Sequence, residues 1–292
     1  MIFRGSAVAL VTPFCEDGSV DFDSYEKLLD FHLKNETDAV VAIGTTGEAI
    51  TMTEEERLDI VKLCVDKLKG KKPVIIGVGN NDTEESADFA KKASALSPDA
   101  ILVITPYYNK CNQEGLYRHF KTIAERSSVP VILYTVPSRT TVEIKPQTAK
   151  RLCEIDNIVG IKDATGNLGY TAKLRNILPD DFAIYSGNDD VALPVLAMGG
   201  DGVISVSANI LPNETHKMCQ AFFDGDIDTA RALQLKMLNM INSMFAETNP
   251  IPVKAAMKLM GLPAGHYRLP LCEPSEETVR LLEKNMKELN LI

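Results

Sequence analysis

The chain of 292 residues reads as an α/β protein, a (β/α)8 TIM barrel followed by a C-terminal helical appendage. Three observations predict this fold. Short runs rich in Val, Ile and Leu recur eight times, most are apolar at nearly every position instead of every second one, and segments with helical periodicity separate them. Near-continuous apolarity is what a strand covered on both faces requires, and regular alternation of strand and helix selects a parallel sheet. Eight such units point to a closed barrel and not an open sheet.

The runs are Ala7 to Val11, Ala39 to Ile43, Val74 to Val78, Ala100 to Ile104, Val131 to Tyr134, Ile158 to Lys162, Phe182 to Tyr185 and Gly202 to Val206. After the first, Glu26, Leu28, Leu29, Phe31 and Leu33 follow helical spacing; after the second, so do Leu58, Ile60, Val61, Leu63, Cys64, Val65 and Leu68. Helix starts are marked at Thr53 and Asp82, each with a glutamate three positions on, the pattern of a capping box. Beyond the eighth run, residues 212 to 292 contain no strand-like segment. Asn213 to Phe223 reads as the last barrel helix, and Ile227 to Phe245, Pro252 to Met260 and Ser275 to Leu289 as the appendage, separated by turns rich in Gly, Pro and Asp. The expected division is a barrel catalytic domain over 1–224 and a helical domain over 225–292.

Composition narrows the function. A net charge of -9, from 40 acidic and 31 basic residues, argues against nucleic acid or an anionic membrane as partner. The cluster Lys67, Lys69, Lys71 and Lys72 ends a predicted helix, where the dipole favours cations. Six cysteines lie far apart without a Cys-x-x-Cys pair and read as reduced thiols. Met1 to Leu10 lacks the apolar core of a signal peptide, and no segment has the eighteen or so apolar residues of a membrane span, so the expectation is a cytoplasmic protein. Four scattered histidines offer no ligand spacing, and no metal is expected.

In a barrel the active site lies where strands end, and the polar residues of this chain gather there. The second run is followed by Gly44-Thr-Thr-Gly-Glu48, the fourth by Thr105-Pro-Tyr-Tyr-Asn109, the fifth by Thr135-Val-Pro-Ser-Arg139, the sixth ends in Lys162-Asp163, and the seventh enters Ser186-Gly-Asn-Asp189. Lys162 interrupts a stretch where packing wants only apolar side chains. It is either a strand end reaching water or a desolvated amine, which is the usual nucleophile toward a carbonyl. Tyr134 ends the preceding strand, as a packed tyrosine or as a proton shuttle for the same amine. The Gly44 to Glu48 loop is either a tight turn or a carboxylate cradle. Arg139 is either a surface residue or a fork for a substrate carboxylate. Of Tyr107 and Tyr108, one can cover the site and the other an interface. Gly77-Val-Gly79 lacks the third glycine of a dinucleotide fingerprint and is assigned to close packing.

Taken in order, Gly44-Thr-Thr-Gly-Glu48, Thr105-Pro-Tyr-Tyr108, Tyr134-Thr-Val-Pro-Ser-Arg139 and Gly160-Ile-Lys-Asp163 resemble the pyruvate-dependent class I aldolase family, on its dihydrodipicolinate synthase branch. The resemblance runs from Phe3-Arg-Gly5 to Asn249-Pro-Ile-Pro-Val-Lys254. It implies a lyase with no cofactor, condensing pyruvate with L-aspartate 4-semialdehyde to 4-hydroxy-tetrahydrodipicolinate in the diaminopimelate route to lysine. It also implies Lys162 as the imine-forming amine, Tyr134 as the proton shuttle, and Thr45 as its link to Tyr108 of a neighbouring subunit. By the same resemblance Thr46 would hold the pyruvate carboxylate and Arg139 that of the semialdehyde, while Gly187 and Ile204 would surround the imine. The implied assembly is a homo-oligomer, a tetramer built as a dimer of dimers.

Two departures stand out. Thr135 replaces the usual Asn after the shuttle tyrosine, at a position expected to point away from Lys162. In the family's lysine-feedback site Asn81, Glu85 and Tyr107 are retained, but Ala49, Glu54 and Arg57 replace Ser and two histidines, so weak or absent inhibition by lysine is expected. The rival readings are a sugar-acid aldolase or N-acetylneuraminate lyase of the same superfamily, which usually lacks an arginine at position 139, and a catalytically silent barrel, which would be expected to have lost Lys162 or Tyr134.

Overall fold

The computed structural model describes residues 1–292. Eight parallel strands close in chain order: β1 Gly5–Ala9, β2 Ala39–Ala42, β3 Val74–Val78, β4 Ala100–Ile104, β5 Val131–Thr135, β6 Ile158–Asp163, β7 Ala183–Ser186 and β8 Gly202–Ser205, with β8 returning to β1. Around them run α1 Phe22–Lys34, α2 Glu54–Leu68, α3 Thr83–Ser94, α4 Gln113–Arg126, α5 Pro137–Thr140, α6 Pro146–Leu152, α7 Leu168–Ile177, α8 Ala192–Ala197 and α9 Pro212–Phe223. Three further helices follow, α10 Ile227–Ser243, α11 Ile251–Leu259 and α12 Glu276–Glu288. The architecture is the (β/α)8 barrel with a helical C-terminal part that the sequence predicts.

Local chemistry sets the helix starts. Thr53 accepts a hydrogen bond from the Glu56 amide at 3.2 Å while the Glu56 carboxylate accepts from the Thr53 amide at 2.9 Å, so α2 begins in a complete capping box. The Asp82 carboxylate caps α3 through the Glu85 amide at 3.0 Å. The first strand sits two residues earlier than its apolar run. Gly5 pairs with Gly202 at a point where a Cβ on Gly202 would collide with the Gly5 carbonyl, so the ladder begins on a residue with no strand propensity. Leu10 and Val11 are buried but lie past the strand, where the Val11 amide donates to Asn209 Oδ1 at 3.2 Å.

Strand alternation divides the interior in two. The outward side chains, such as Val40, Ile76, Val103, Leu133 and Ile161, join the helices in a core of 64 buried residues that holds the barrel together. The inward ones form a separate cluster of 15, small in places (Ala7, Ala9, Ala39, Ala100, Ala183) and closed by the Phe3 ring stacked on Tyr185 at 4.2 Å. The Tyr185 hydroxyl donates to the Phe3 carbonyl at 2.9 Å, so the phenol inside the barrel is satisfied. α10 packs on α9, and Asn285 of α12 donates to Ser243 Oγ of α10 at 2.6 Å. We propose that the appendage begins at residue 225, where Gly225 adopts a φ of +83° and Asp226 caps α10.

Candidate active site

The β5 to β6 register pairs Tyr134 directly with Lys162, so both side chains rise from one layer of the barrel interior on strands about 4.8 Å apart. Lys162 Nζ lies 4.4 Å from the centroid of the Tyr134 ring. Only 6 % of Lys162 is exposed, and it lines a cavity of about 390 Å³. A lysine so placed retains its proton poorly. Burial pushes its pKa from 10.5 down to about 8, the Asp189 carboxylate opposes that fall, and the Arg139 guanidinium adds to it. Burial also raises the Tyr134 phenol above its ordinary value, against smaller lowering effects from Arg139 and from a hydrogen bond with Thr45. The strand end is therefore not a solvated amine.

The same cavity is lined by Thr45, Thr46 and Arg139. The loop after β2 is bracketed by two non-glycine residues in the left-handed region, Ile43 with φ +46° and Glu48 with φ +56°. For a β-branched residue this conformation is costly and persists only where surrounding contacts fix it. Gly77 of β3 permits the geometry, as a Cβ there would strike the Ile43 carbonyl and Gly44. Arg139 sits on the one-turn helix α5, begun by Pro137 at its first position, and donates to the Asn249 carbonyl at 2.9 Å. Its guanidinium reaches over the cavity from an otherwise exposed side chain.

Gly187 follows β7 directly and Ile204 lies within β8. The Gly187 amide donates to the Asp163 carbonyl at 2.7 Å, extending the β6 to β7 ladder, and a Cβ on it would sit 2.5 Å from that of Ala164. Ile204 is fully buried in the inner cluster. Neither borders the open cavity. Thr135 faces outward, its hydroxyl accepting from the Ile144 amide at 3.2 Å. Tyr108 is 89 % exposed with φ +68°, and does not line the cavity of its own chain.

Ala49, Arg57, Glu85 and Tyr107 also line the cavity. Arg57 lies 3.8 Å from Glu85 and 4.3 Å from the centre of the Phe89 ring, while Glu54 pairs instead with Lys92 at 2.6 Å. Asn80 lines the cavity; Asn81 does not, and its carbonyl accepts from Asn109 at 2.9 Å.

Three groups at the site escaped the sequence reading. Asp189, 3 % exposed, is held by the amides of Val206 at 3.0 Å and Ser207 at 3.3 Å, and its Oδ1 has no partner. Asn249 donates from its side chain to Thr46 Oγ1 at 2.9 Å. Lys254 ion-pairs with Glu48 at 2.8 Å. For Lys254 a signal was present: it interrupts the apolar run Ile251 to Met257 just as Lys162 interrupts its own. Asp189 and Asn249 stand in polar loops where nothing local distinguishes them.

The model of the dihydrodipicolinate synthetase family matches residues 2–289. The chain belongs to that family. As a member, it is 49% identical over 291 residues to the 4-hydroxy-tetrahydrodipicolinate synthase of Clostridium perfringens strain ATCC 13124, with 100% of both chains covered. Among solved structures, dihydrodipicolinate synthase from Thermotoga maritima superposes with a TM-score of 0.97 at 42% identity, covering 100% of both chains. The chloride-inhibited dihydrodipicolinate synthase from Acinetobacter baumannii, complexed with pyruvate, gives 0.97 at 44% identity, again over 100% of both chains. With residue 135 facing the helices, the Thr that departs from the family pattern lies outside the cavity.

Proposed function

We infer that this chain joins pyruvate to L-aspartate 4-semialdehyde through an imine on Lys162, giving 4-hydroxy-tetrahydrodipicolinate for the diaminopimelate route to lysine. The reaction is that of a lyase of the class I aldolase type. One observation carries the assignment of roles: a desolvated amine and a phenol in direct register at the mouth of the barrel. The neutral Lys162 amine adds to C2 of pyruvate and water leaves, forming the imine. Tyr134 moves the protons of these steps and of the removal of a methyl proton that yields the enamine. The enamine carbon then bonds to the aldehyde carbon of the second substrate. Its amine next displaces Lys162 by transimination, which closes the ring and frees the enzyme.

Thr46 holds the pyruvate carboxylate and Arg139 the carboxylate of the semialdehyde, each near a group that the buried loop geometry fixes. Gly187 and Ile204 contribute to the imine's surroundings without bordering the open cavity. Thr45 links Tyr134 to Tyr108 of a neighbouring subunit, which makes the catalytic unit at least a dimer, and two dimers form the tetramer. The near-complete exposure of Tyr108 supports that reading, as does exposed Ile50 at the cavity lining. At the cavity lining, Arg57 already faces the Glu85 carboxylate that an incoming ammonium would need, which supports weak or absent inhibition by lysine. No helix is long and apolar enough to cross a membrane.

Incubation with pyruvate followed by borohydride is expected to leave a reduced adduct on Lys162, with turnover when the semialdehyde is supplied. An adduct elsewhere would sink the mechanism. Turnover with a sugar aldehyde in place of the semialdehyde would sink the substrate assignment.

A further inference from the structure

Lys254 and Glu48 are an ion pair with side-chain exposures of 0% and 2%, one on the helical appendage and the other at the end of the threonine loop. Three acceptors hold the Lys254 ammonium: Glu48 Oε1 at 2.8 Å, the Thr12 carbonyl at 3.0 Å and the His266 carbonyl. The pair lies far too deep to be a solvated surface bridge, and a buried pair of this kind stabilises little by itself compared with an apolar alternative. What it does fix is position. Glu48 is the residue with φ +56° that ends the Gly44 to Glu48 loop, two positions after Thr46, and from that conformation its carboxylate reaches Lys254. Five residues before Lys254, Asn249 bonds Thr46 with its side chain and Arg139 with its carbonyl. One short segment of the appendage thus grips both groups assigned to the two substrate carboxylates.

We propose that Lys254 is a positioning residue: through Glu48 it holds the Gly44 to Glu48 loop in the form that binds the pyruvate carboxylate. Lys254 touches no reacting atom, and with its three bonds made it cannot replace Lys162 as the nucleophile. Breaking the pair leaves a buried, unpaired charge, which is relieved when Glu48 swings toward water and takes Thr46 with it. The loss falls on ground-state binding of pyruvate, so half-saturation rises while the rate at saturation changes less.

The proposal rests on the assignment of Thr46 to the pyruvate carboxylate. The test is a double-mutant cycle of Lys254→Met and Glu48→Gln in the full-length protein, read by borohydride trapping on Lys162 against pyruvate concentration and by thermal melting. Lys254→Met is expected to raise half-saturation at least about tenfold, with the trapped yield at saturating pyruvate kept. The neutral double variant is expected to return to within about threefold of the parent, because no charge is left unpaired. A lowered melting point with unchanged half-saturation in Lys254→Met would make the pair a matter of fold stability alone and overturn the proposal, as would simple additivity in the cycle. Should Lys254→Met fail to fold, Glu48→Gln decides: raised half-saturation that the double variant corrects supports the proposal, and parental half-saturation overturns it. Absence of any Lys162 adduct in the parent is the separate result that removes the underlying assignment.

Discussion

At Lys162 the chemistry needed for catalysis works against stability. Its ammonium is held down to about 8 by burial, so the folded chain binds that proton less tightly than the unfolded chain does. The cost is fully present below about pH 8 and fades as the pH rises toward 10.5, as the amine is then neutral in both states. Lys162→Met is therefore expected to abolish adduct formation yet raise stability at pH 7 by up to about 3 kcal/mol, a gain that shrinks in melts at pH 9 to 10. A variant less stable than the parent at pH 7 would contradict this. The same shift sets the rate of imine formation, which should climb with pH and level off above about 8 in single-turnover trapping. Asp189 favours the ammonium, so Asp189→Asn, which keeps an acceptor for the Val206 and Ser207 amides, should move that midpoint down; Arg139→Met should move it up. Midpoints that stay fixed in both variants would separate these charges from Lys162.

Among the elements, the loop from Ile43 to Glu48 is held from several sides. Two left-handed non-glycine residues, a glycine on the adjacent strand and two bonds from the appendage over-determine it. Gly77→Ala places a methyl against the Ile43 carbonyl, and overpacking of this kind costs about 1–3 kcal/mol. The expected result is a lower melting temperature together with weaker pyruvate saturation, as the displaced backbone is the one that presents Thr45 and Thr46. Loss of stability with unaltered saturation would show that the loop absorbs the methyl without moving its threonines. Strand β1 makes a related point about boundaries. Its start is set by backbone contact between Gly5 and Gly202, which an apolar pattern does not register, while the apolarity of Leu10 and Val11 belongs to packing beyond the ladder.

For the molecule as a whole, the exposed Tyr108 is the residue that asks for a second copy. If it completes a neighbour's site, Tyr108→Phe and Lys162→Met, each nearly inactive alone, should recover partial activity when unfolded and refolded together, as a mixed dimer then holds one intact site. No recovery in mixtures that sedimentation shows to contain mixed dimers would place Tyr108 outside the catalytic unit. Feedback belongs to this scale as well. With Glu85 already facing Arg57, lysine is expected to inhibit only at millimolar concentration or not at all, and half-inhibition well below millimolar in a steady-state assay would refute that.

The barrel was legible in the sequence because it repeats: eight apolar runs at helix-length spacing leave few topologies, and the inward and outward faces follow from the two-residue period of each strand. Lys162, Tyr134, Thr45, Thr46 and Arg139 were legible for a similar reason, as polar residues placed where that repeat puts the barrel mouth. Contacts between residues remote in sequence were not. That Asn249 bonds Thr46, that Lys254 pairs with Glu48, and that Asp189 biases Lys162 depend on separations of 203, 206 and 27 positions, which only closure of the barrel and docking of the appendage bring to bonding or electrostatic range. Periodicity determines which face a side chain takes. Its partner, and hence its charge state, is decided by the packing of the whole chain.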